Sequence, residues 1–442
     1  MRHQFFLLLA LVTAAVPAFS AEPPPAGACY TGAYAMSDGS NLVVQPGNTG
    51  NLRYRFMSGV TGELFPVGAG RYESGDGWNV RQPVTLRVDF GSCDGRSIRF
   101  QHDKAPQLKG SKVALPTTPL IFKNGDVTLY GELVLPVTRN PRAVIVLQYG
   151  SGRESAVADN FVQHLLPLKD IAVFVFDKRG TGQSTGGFTA DIKTLAADMT
   201  AAVQAVRAQS SVKYIPLGVM GESQGGWVAP LTATQTPVDF VIVSYGLAIS
   251  MLEEDRQEVA QSLHAKGYGA DVLAKGEEIH RVTSLVAVSR FKEGLEELER
   301  LKSTYGKEPW FAELGGDFTA PLTSTPKEQI PALRAMLNYP YDLAYDPMPT
   351  IAKITVPQLW ILAGKDTEAP HETTLANLQQ LRKEKGLPIE VVVFPNADHG
   401  IIEVEEGPNG RRRAGRTSAG YFELLIDRIT RQHVQTENAA VR

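Results

Sequence analysis

Hydrophobic and polar residues alternate one by one in several short segments in the first quarter of the chain. Leu52–Phe56, Val84–Phe90 and Ser97–Phe100 all show this period of two. Such alternation predicts antiparallel strands with one buried and one solvent-exposed face, and the Gly, Asp and Asn residues between the segments predict turns. We therefore expect a small β-rich domain, a compact sandwich or barrel, over residues 21–115.

From residue 116 onward, continuous apolar segments replace the alternation. An Asn124-Gly125 pair between two apolar segments predicts a β-hairpin. Continuous apolar segments are typical of parallel strands buried on both faces, and they occur at Ala143–Leu147, Ile171–Phe176, Tyr214–Met220, Phe240–Val243, Gln358–Ala363 and Ile389–Phe394. Helical patterns occur at Phe161–Leu168, Asp191–Gln209, Gln224–Thr234 and Tyr421–Gln432. This order predicts a doubly wound α/β domain over residues 116–442.

A charged, helical segment at residues 247–345 interrupts the alternation of strands and helices. Mostly apolar residues recur there with the spacing of one amphipathic helix, at Leu285, Val288, Lys292, Leu295 and Leu298. We interpret the segment as a helical cap inserted into the α/β domain.

The first 20 residues have the pattern of a secretory signal. Arg2 provides a positive start, and the apolar segment Phe5–Val16 is too short to span a bilayer comfortably. Small residues at Ala18 and Ser20 suit cleavage before Ala21. We expect an exported protein, periplasmic or secreted, with an uncleaved anchor as the alternative. No later segment is long and apolar enough to be expected to span a membrane.

The chain has two cysteines, Cys29 and Cys93, both in the predicted β-rich domain. In an oxidising compartment such an isolated pair favours a disulfide, and two unpaired thiols are the alternative. A net charge of −3 argues against a nucleic-acid partner, which usually requires a basic surplus.

Gly221-Glu222-Ser223-Gln224-Gly225 lies between a predicted buried strand and a predicted helix. The Gly-x-Ser-x-Gly pattern in that context predicts a tight turn that exposes a nucleophilic serine. Glycines two positions away on either side leave room for the turn. The alternative is a Gly-rich turn that only packs a helix on the sheet.

A serine hydroxyl needs a base at neutral pH, and in this type of fold an acid and then a histidine follow the serine along the chain. His399 follows the last strong strand, whereas His371 falls early in a helix and His433 lies in the terminal tail. Asp366 follows the preceding strand and would orient the imidazole. Glu368 is the alternative acid.

Backbone N–H groups are required to stabilise a developing oxyanion. We expect the amide of Gln224, directly after the serine, and the amide of Ser151 in the loop Gln148–Gly152. Gly152 is the alternative donor.

Taken together, these motifs resemble the α/β-hydrolase superfamily. From about Leu120 to His433 the chain is similar to its serine-aminopeptidase-like and esterase branch, through Tyr149-Gly150-Ser151-Gly152, Asp177 to Ser184, Gly221 to Gly225, Gly364-Lys365-Asp366 and Asp398-His399-Gly400. The resemblance implies a Ser223–Asp366–His399 triad with no metal or organic cofactor. Tyr149 departs from the histidine that many relatives have there, and residues 21–115 match no part of the family's fold.

The resemblance further implies a small-molecule acyl substrate attacked through an acyl-enzyme. We expect a carboxylic-ester hydrolase. One alternative is an aminopeptidase-like enzyme in which cap carboxylates such as Glu253 bind the substrate amine. The other is a binding protein without catalytic activity.

Overall fold

The computed structural model describes residues 27–47, 50–75, 83–93, 96–103, 105–337, 341–407, 412–432 and 440–441. The predicted signal segment, residues 1–20, lies outside these ranges. Within them, no helix combines the length and the apolar character that crossing a membrane requires.

The first eight strands form a closed antiparallel barrel. They are β1 (Gly32–Met36), β2 (Asn41–Pro46), β3 (Leu52–Phe56), β4 (Thr61–Gly68), β5 (Arg71–Ser74), β6 (Leu86–Asp89), β7 (Ser97–His102) and β8 (Leu108–Lys112). Strand β8 returns to pair with β1, which closes the barrel. Its interior contains buried side chains such as Tyr54, Leu64 and Phe90. The predicted β-rich domain is confirmed, in its barrel form.

A disulfide joins Cys29 to Cys93, with their Cα atoms 5.4 Å apart. It links the 3-10 helix Ala28–Tyr30, which precedes β1, to the loop before β7. Because the two cysteines are 64 residues apart in sequence, the bond restricts the unfolded chain strongly and so favours the folded barrel.

A nine-stranded sheet follows the barrel. Its strands are β9 (Thr117–Asn124), β10 (Val127–Val134), β11 (Ala143–Gln148), β12 (Ile171–Phe176), β13 (Leu217–Glu222), β14 (Phe240–Ser244), β15 (Gln358–Ala363), β16 (Ile389–Phe394) and β20 (Ala440–Val441), in the spatial order β20-β16-β15-β14-β13-β11-β12-β10-β9. The hairpin β9–β10 is antiparallel, and β11 to β16 run parallel. A small sheet contains β17 (Ala397–Asp398), β18 (Ile402–Glu406) and β19 (Arg412–Thr417).

Helices cover both faces of this sheet and form the cap. They are α1 (Ala156–Asp159), α2 (Val162–Leu165), α3 (Ile192–Arg207), α4 (Gly225–Ala233), α5 (Met251–Ala265), α6 (Ala270–Val288), α7 (Leu295–Tyr305), α8 (Thr319–Ser324), α9 (Ile330–Leu337), α10 (Met348–Ile351), α11 (Glu372–Lys385) and α12 (Tyr421–Arg431). Further 3-10 helices lie at Leu166–Lys169, Ser210–Val212, Pro309–Glu313, Lys327–Gln329 and His399–Ile401. Helices α3, α4 and α11 share one core with the sheet, and α2 and α12 share the other. The doubly wound α/β prediction is confirmed.

The cap contains α5 to α9 and has its own apolar core, which includes Leu263, Val282 and Leu298. The expected single amphipathic helix through Leu285 and Leu298 is wrong. Helix α6 ends at Val288, and the chain then turns through Arg290 and Phe291, which have φ values of 54° and 62°. Leu285 and Val288, within α6, are exposed instead of buried. The predicted helix Phe161–Leu168 is likewise shorter, because α2 continues as a 3-10 helix.

The outer face of the barrel packs against the α/β domain. Val43 of β2 is fully buried in the core that contains the sheet residues Ile145 and Met220. On β3, Arg53 and Arg55 are 3% and 4% exposed. The expectation that the polar face of this strand is in water is therefore wrong, because that face is covered by the second domain.

Replacement of Val43 by Asp tests this docking. An unpaired carboxylate would be buried between the two domains, which costs about 3 kcal/mol or more. We expect a clear decrease in the melting temperature, measured by calorimetry. Val67→Asp, at an exposed position of β4, is the matched control and should leave the melting temperature nearly unchanged. Equal effects of the two substitutions would contradict the docked arrangement.

Candidate active site

Ser223 lies in a tight turn between β13 and α4. Its backbone φ is 52°, in the left-handed region that residues with a side chain rarely adopt. The Ser223 N–H donates to the carbonyl of Ser244, 3.1 Å away on the neighbouring strand β14, and the Gly226 N–H donates to the Ser223 carbonyl at 2.7 Å. These bonds hold a strained residue at the end of a parallel strand, where the sheet leaves a crevice.

Two glycines make this turn possible. A Cβ atom at Gly221 would lie 1.9 Å from the carbonyl oxygen of Gly225, and one at Gly225 would lie 2.5 Å from that of Gln148. No side chain fits at either position without moving backbone. The two outer glycines of the motif are therefore required by packing.

The structure brings Ser223, His399 and Asp366 together. The Nε2 atom of His399 is 3.0 Å from Ser223 Oγ, and Nδ1 is 3.0 Å and 3.2 Å from the two carboxylate oxygens of Asp366. Asp366 Oδ1 also accepts from the backbone N–H groups of Glu368 and Ala369. Strands β15 and β16 end next to each other, which places Asp366 beside His399.

Glu368, the alternative acid, lies elsewhere. Its carboxylate is 3.7 Å from His399 Nε2, on the Ser223 side of the ring, and its side chain is 71% exposed. Asp398 accepts a hydrogen bond from the backbone N–H of His399 at 2.9 Å instead of binding the ring. Of these carboxylates, Asp366 is the one that contacts Nδ1.

Asp366 also controls the charge of the imidazole. Burial alone would lower the pKa of His399, but the hydrogen bond and negative charge of Asp366, with smaller contributions from Glu368 and Asp398, raise it above its ordinary value. The same interactions stabilise an imidazolium if the ring takes a proton.

The loop after β11 lies against the serine. A Cβ atom at Gly150 would be 3.4 Å from Ser223 Cβ. The buried Lys178 donates from Nζ to the Gly150 carbonyl at 2.5 Å, which fixes the loop, and burial lowers the pKa of this lysine to about 8. Ser151 follows Gly150, and Gln224 precedes α4, so the two expected oxyanion donors belong to the loops on either side of Ser223. Their donor role stays a prediction.

Ser223 and His399 open into a cavity of about 480 Å³. The cavity is lined mainly by the α/β domain, but Gln45, Arg53 and Arg55 of the barrel also line it. The barrel is therefore part of the wall of the candidate active site. The sequence did not indicate this, since period-two alternation does not reveal what covers the polar face of a strand.

Glu222, next to the serine, is a further site residue that sequence reasoning missed. It is 3% exposed, and it accepts a hydrogen bond from Asn160 Nδ2 at 3.1 Å. Burial raises the pKa of Glu222 to about 7, although Asn160, Tyr245 and the charge of Arg55 counteract this. The sequence feature that could have indicated a buried Glu222 is its position at the end of a strand that is buried throughout.

Arg55 connects the barrel to this network. Its guanidinium donates to Thr417 Oγ1 and lies 4.0 Å from the ring centre of Phe161. Burial lowers the pKa of Arg55 to about 9, and the nearby Glu222, Tyr245 and Tyr421 oppose this decrease. The guanidinium thus places positive charge near the carboxylate that adjoins the serine.

Comparison with known proteins agrees with this geometry. Residues 139–266 match the family described as serine aminopeptidase, S33. This segment contains the loop before Ser223, the turn itself and the first helix of the cap. Over these residues the chain is similar to that family.

Curated relatives match about a quarter of the chain. Human monoglyceride lipase is 31% identical over 105 residues, which are 23% of this chain and 34% of the relative. The rat monoglyceride lipase is 31% identical over 102 residues, 23% of this chain and 33% of the relative. The chain thus matches about a third of the length of these relatives.

Solved structures with a similar arrangement include the Pyrococcus furiosus esterase Pf2001, at a TM-score of 0.41 and 15% identity over 64% of this chain and 82% of the other. The acylaminoacyl peptidase of Pyrococcus horikoshii gives a TM-score of 0.43 and 13% identity over 88% of this chain and 55% of the other.

Replacement of Glu368 by Gln tests the electrostatics at His399. A nearby negative charge favours the protonated imidazole, so its removal should lower the pKa of His399. The measurement is an NMR titration of the His399 ring. Glu372→Gln is the control, since Glu372 is 72% exposed and lies 3.7 Å from His371. An unchanged or higher pKa in Glu368→Gln would contradict the arrangement.

Proposed function

We propose that this protein is an exported serine hydrolase that cleaves carboxylic esters through an acyl-enzyme. The observation that carries the proposal is the continuous hydrogen-bonded chain from Ser223 through His399 to Asp366. Each member has a partner within 3.0 Å, and the chain borders a cavity large enough for a small substrate.

In the proposed reaction, Ser223 Oγ attacks the ester carbonyl carbon while His399 Nε2 takes the hydroxyl proton. Asp366 holds the Nδ1 tautomer and stabilises the imidazolium. The amides of Ser151 and Gln224 are the proposed donors to the oxyanion. His399 then gives its proton to the leaving alkoxide, which departs as the alcohol. A water molecule, deprotonated by His399, releases the acid and restores Ser223.

Two observations support an ester over an amide substrate. The curated relatives that this chain matches are named monoglyceride lipases. The peptidase alternative assigned the substrate amine to Glu253, but its carboxylate is bonded to Arg256 through both oxygens, at 2.7 Å and 2.5 Å. That carboxylate is therefore engaged within α5. The third alternative, a binding protein, does not explain why a complete proton-transfer chain is present.

Export is part of the proposal. It is supported by the signal-like pattern of residues 1–20 and by the Cys29–Cys93 disulfide, since structural disulfides persist mainly in oxidising compartments.

A substrate panel tests the proposal. The chain without residues 1–20 is assayed on p-nitrophenyl esters of short and medium acids and on aminoacyl p-nitroanilides, beside Ser223→Ala. We expect ester turnover in the wild type and a decrease in kcat by a factor of at least about 10⁴ in the variant. Ser324→Ala, an exposed serine of α8, is the control and should keep full activity.

Ester turnover that survives in Ser223→Ala would contradict the nucleophile. Turnover of anilides but not esters would favour the peptidase. No turnover on any substrate, from a protein that melts cooperatively, would contradict the enzymatic proposal.

A further inference from the structure

Three carboxylates meet where the cap lies over the catalytic loop. Glu254 and Glu258 are four residues apart on α5 and so share one helix face. Asp317 approaches them from the segment between the 3-10 helix Pro309–Glu313 and α8. One oxygen of each carboxylate lies within 4.8 Å of an oxygen of each of the other two.

Within the described part of the chain, no lysine or arginine forms an ion pair with this cluster, and the charge of His399 acts on Asp317 alone among the three. Within the described residues, Glu254 is 9% exposed, and neither a hydrogen-bond donor nor an ion-pair partner is present for its carboxylate. Glu258 accepts only the backbone N–H of Asp317, at 2.9 Å. The nearest arginine on the helix, Arg256, is bound to Glu253.

Burial and neighbouring negative charges both disfavour the ionised form of these carboxyl groups. Burial, followed by the charges of Asp317, Glu258 and Asp366, raises the pKa of Glu254 well above its ordinary value. Burial and the charges of Asp317 and Asp255 raise the pKa of Glu258 to about 9. Glu254 and Glu258 are buried and Asp317 is exposed, and acids this close together are costly unless protons or a cation neutralise them.

The neighbouring Asp255 differs from Glu254 because its carboxylate has hydrogen-bond donors. Its carboxylate is fully buried but accepts hydrogen bonds from Phe318 N–H, Thr319 N–H and the Thr319 hydroxyl. Asp255 is thus a buried acid whose hydrogen bonds anchor the segment at Phe318 and Thr319 to α5. Glu254 has no corresponding structural donor, and its carboxylate faces the other two acids.

We propose that Glu254, Glu258 and Asp317 form a calcium-binding site. An ion at the centre of three oxygens up to 4.8 Å apart lies at most about 2.8 Å from each, so a small closure gives the 2.3–2.6 Å that Ca²⁺ prefers. The shorter distances and strict octahedron of Mg²⁺ fit less well, and the all-oxygen set is unlike the nitrogen and sulfur ligands of zinc sites.

The bound ion would connect α5 to the loop at Asp317. Helix α5 also contacts the catalytic loop directly, since Gln261 Nε2 donates to the Asp366 carbonyl at 2.9 Å. Calcium would therefore fix the cap beside the triad without taking part in the chemistry. The site does not depend on the substrate class.

The test uses the full mature chain after treatment with EDTA and removal of the chelator. Isothermal titration calorimetry with CaCl₂ should give one site per chain. A saturating concentration, near 100 times Kd, should raise the melting temperature by about 3 °C. Glu254→Gln and Asp317→Asn should abolish both signals. Glu296→Gln, at an exposed position of α7, is the control and should respond like the wild type.

The variants also separate binding from misfolding. Without calcium, Glu254→Gln should melt no lower than the metal-free wild type, because a neutral amide replaces a buried carboxyl group that lies among other acids. Absence of calcium binding in the wild type would overturn the proposal, as would a calcium response that survives in both variants. A stabilising response to n-butylammonium but not to calcium would also overturn it and would assign the cluster to a substrate amine. None of these measurements depends on ester hydrolysis.

Discussion

The backbone turn at Ser223 places a strained residue at the carboxyl end of β13, and the geometry of the site depends on it. A φ of 52° is tolerated there because the chain on both sides is held by close packing. Gly226 and Gly246 approach so closely that a Cβ on either one would lie 2.8 Å from the Cα of the other. Strands β11, β15 and β16 end at the same edge of the sheet as β13. The Gly150 loop follows β11, Asp366 follows β15 and His399 follows β16, so all three lie beside the fixed serine.

The barrel contributes side chains to the candidate active site. In the part of the chain that the structure describes, it closes one wall of the cavity and places Arg55 near Glu222. A carboxylate directly before Ser223 would oppose development of negative charge at the proposed nucleophile and substrate if it were ionised and uncompensated. Burial, the Asn160 amide and the Arg55 charge act together on that carboxylate, so a residue of the N-terminal domain influences the electrostatics beside Ser223.

Much of this arrangement could be predicted from sequence because its constraints are local. The apolar segments Gln358–Ala363 and Ile389–Phe394 coincide with β15 and β16, since strands buried on both faces leave an unbroken apolar pattern. The positions of Ser223, Asp366 and His399 at strand ends follow from the order of these strands. The disulfide partners were limited to two cysteines.

The remaining features depend on contacts between distant parts of the chain. The polar face of β3 has the same pattern whether water or another domain covers it, so the burial of Arg53 and Arg55 could not be predicted. The Leu285–Leu298 spacing fits one helix, but the positive φ values at Arg290 and Phe291 end it. The cluster of Glu254, Glu258 and Asp317 joins a helix to a loop 59 residues beyond Glu258, a distance in sequence that no local pattern encodes.

The most direct measurement of the central claim is the mass of the protein after reaction with a fluorophosphonate, followed by peptide mapping of the adduct. We expect one adduct per chain, located on Ser223, and loss of labelling in His399→Ala, because the hydroxyl then lacks its base. An adduct on another residue, or rapid labelling of Ser223 without His399, would contradict the central claim.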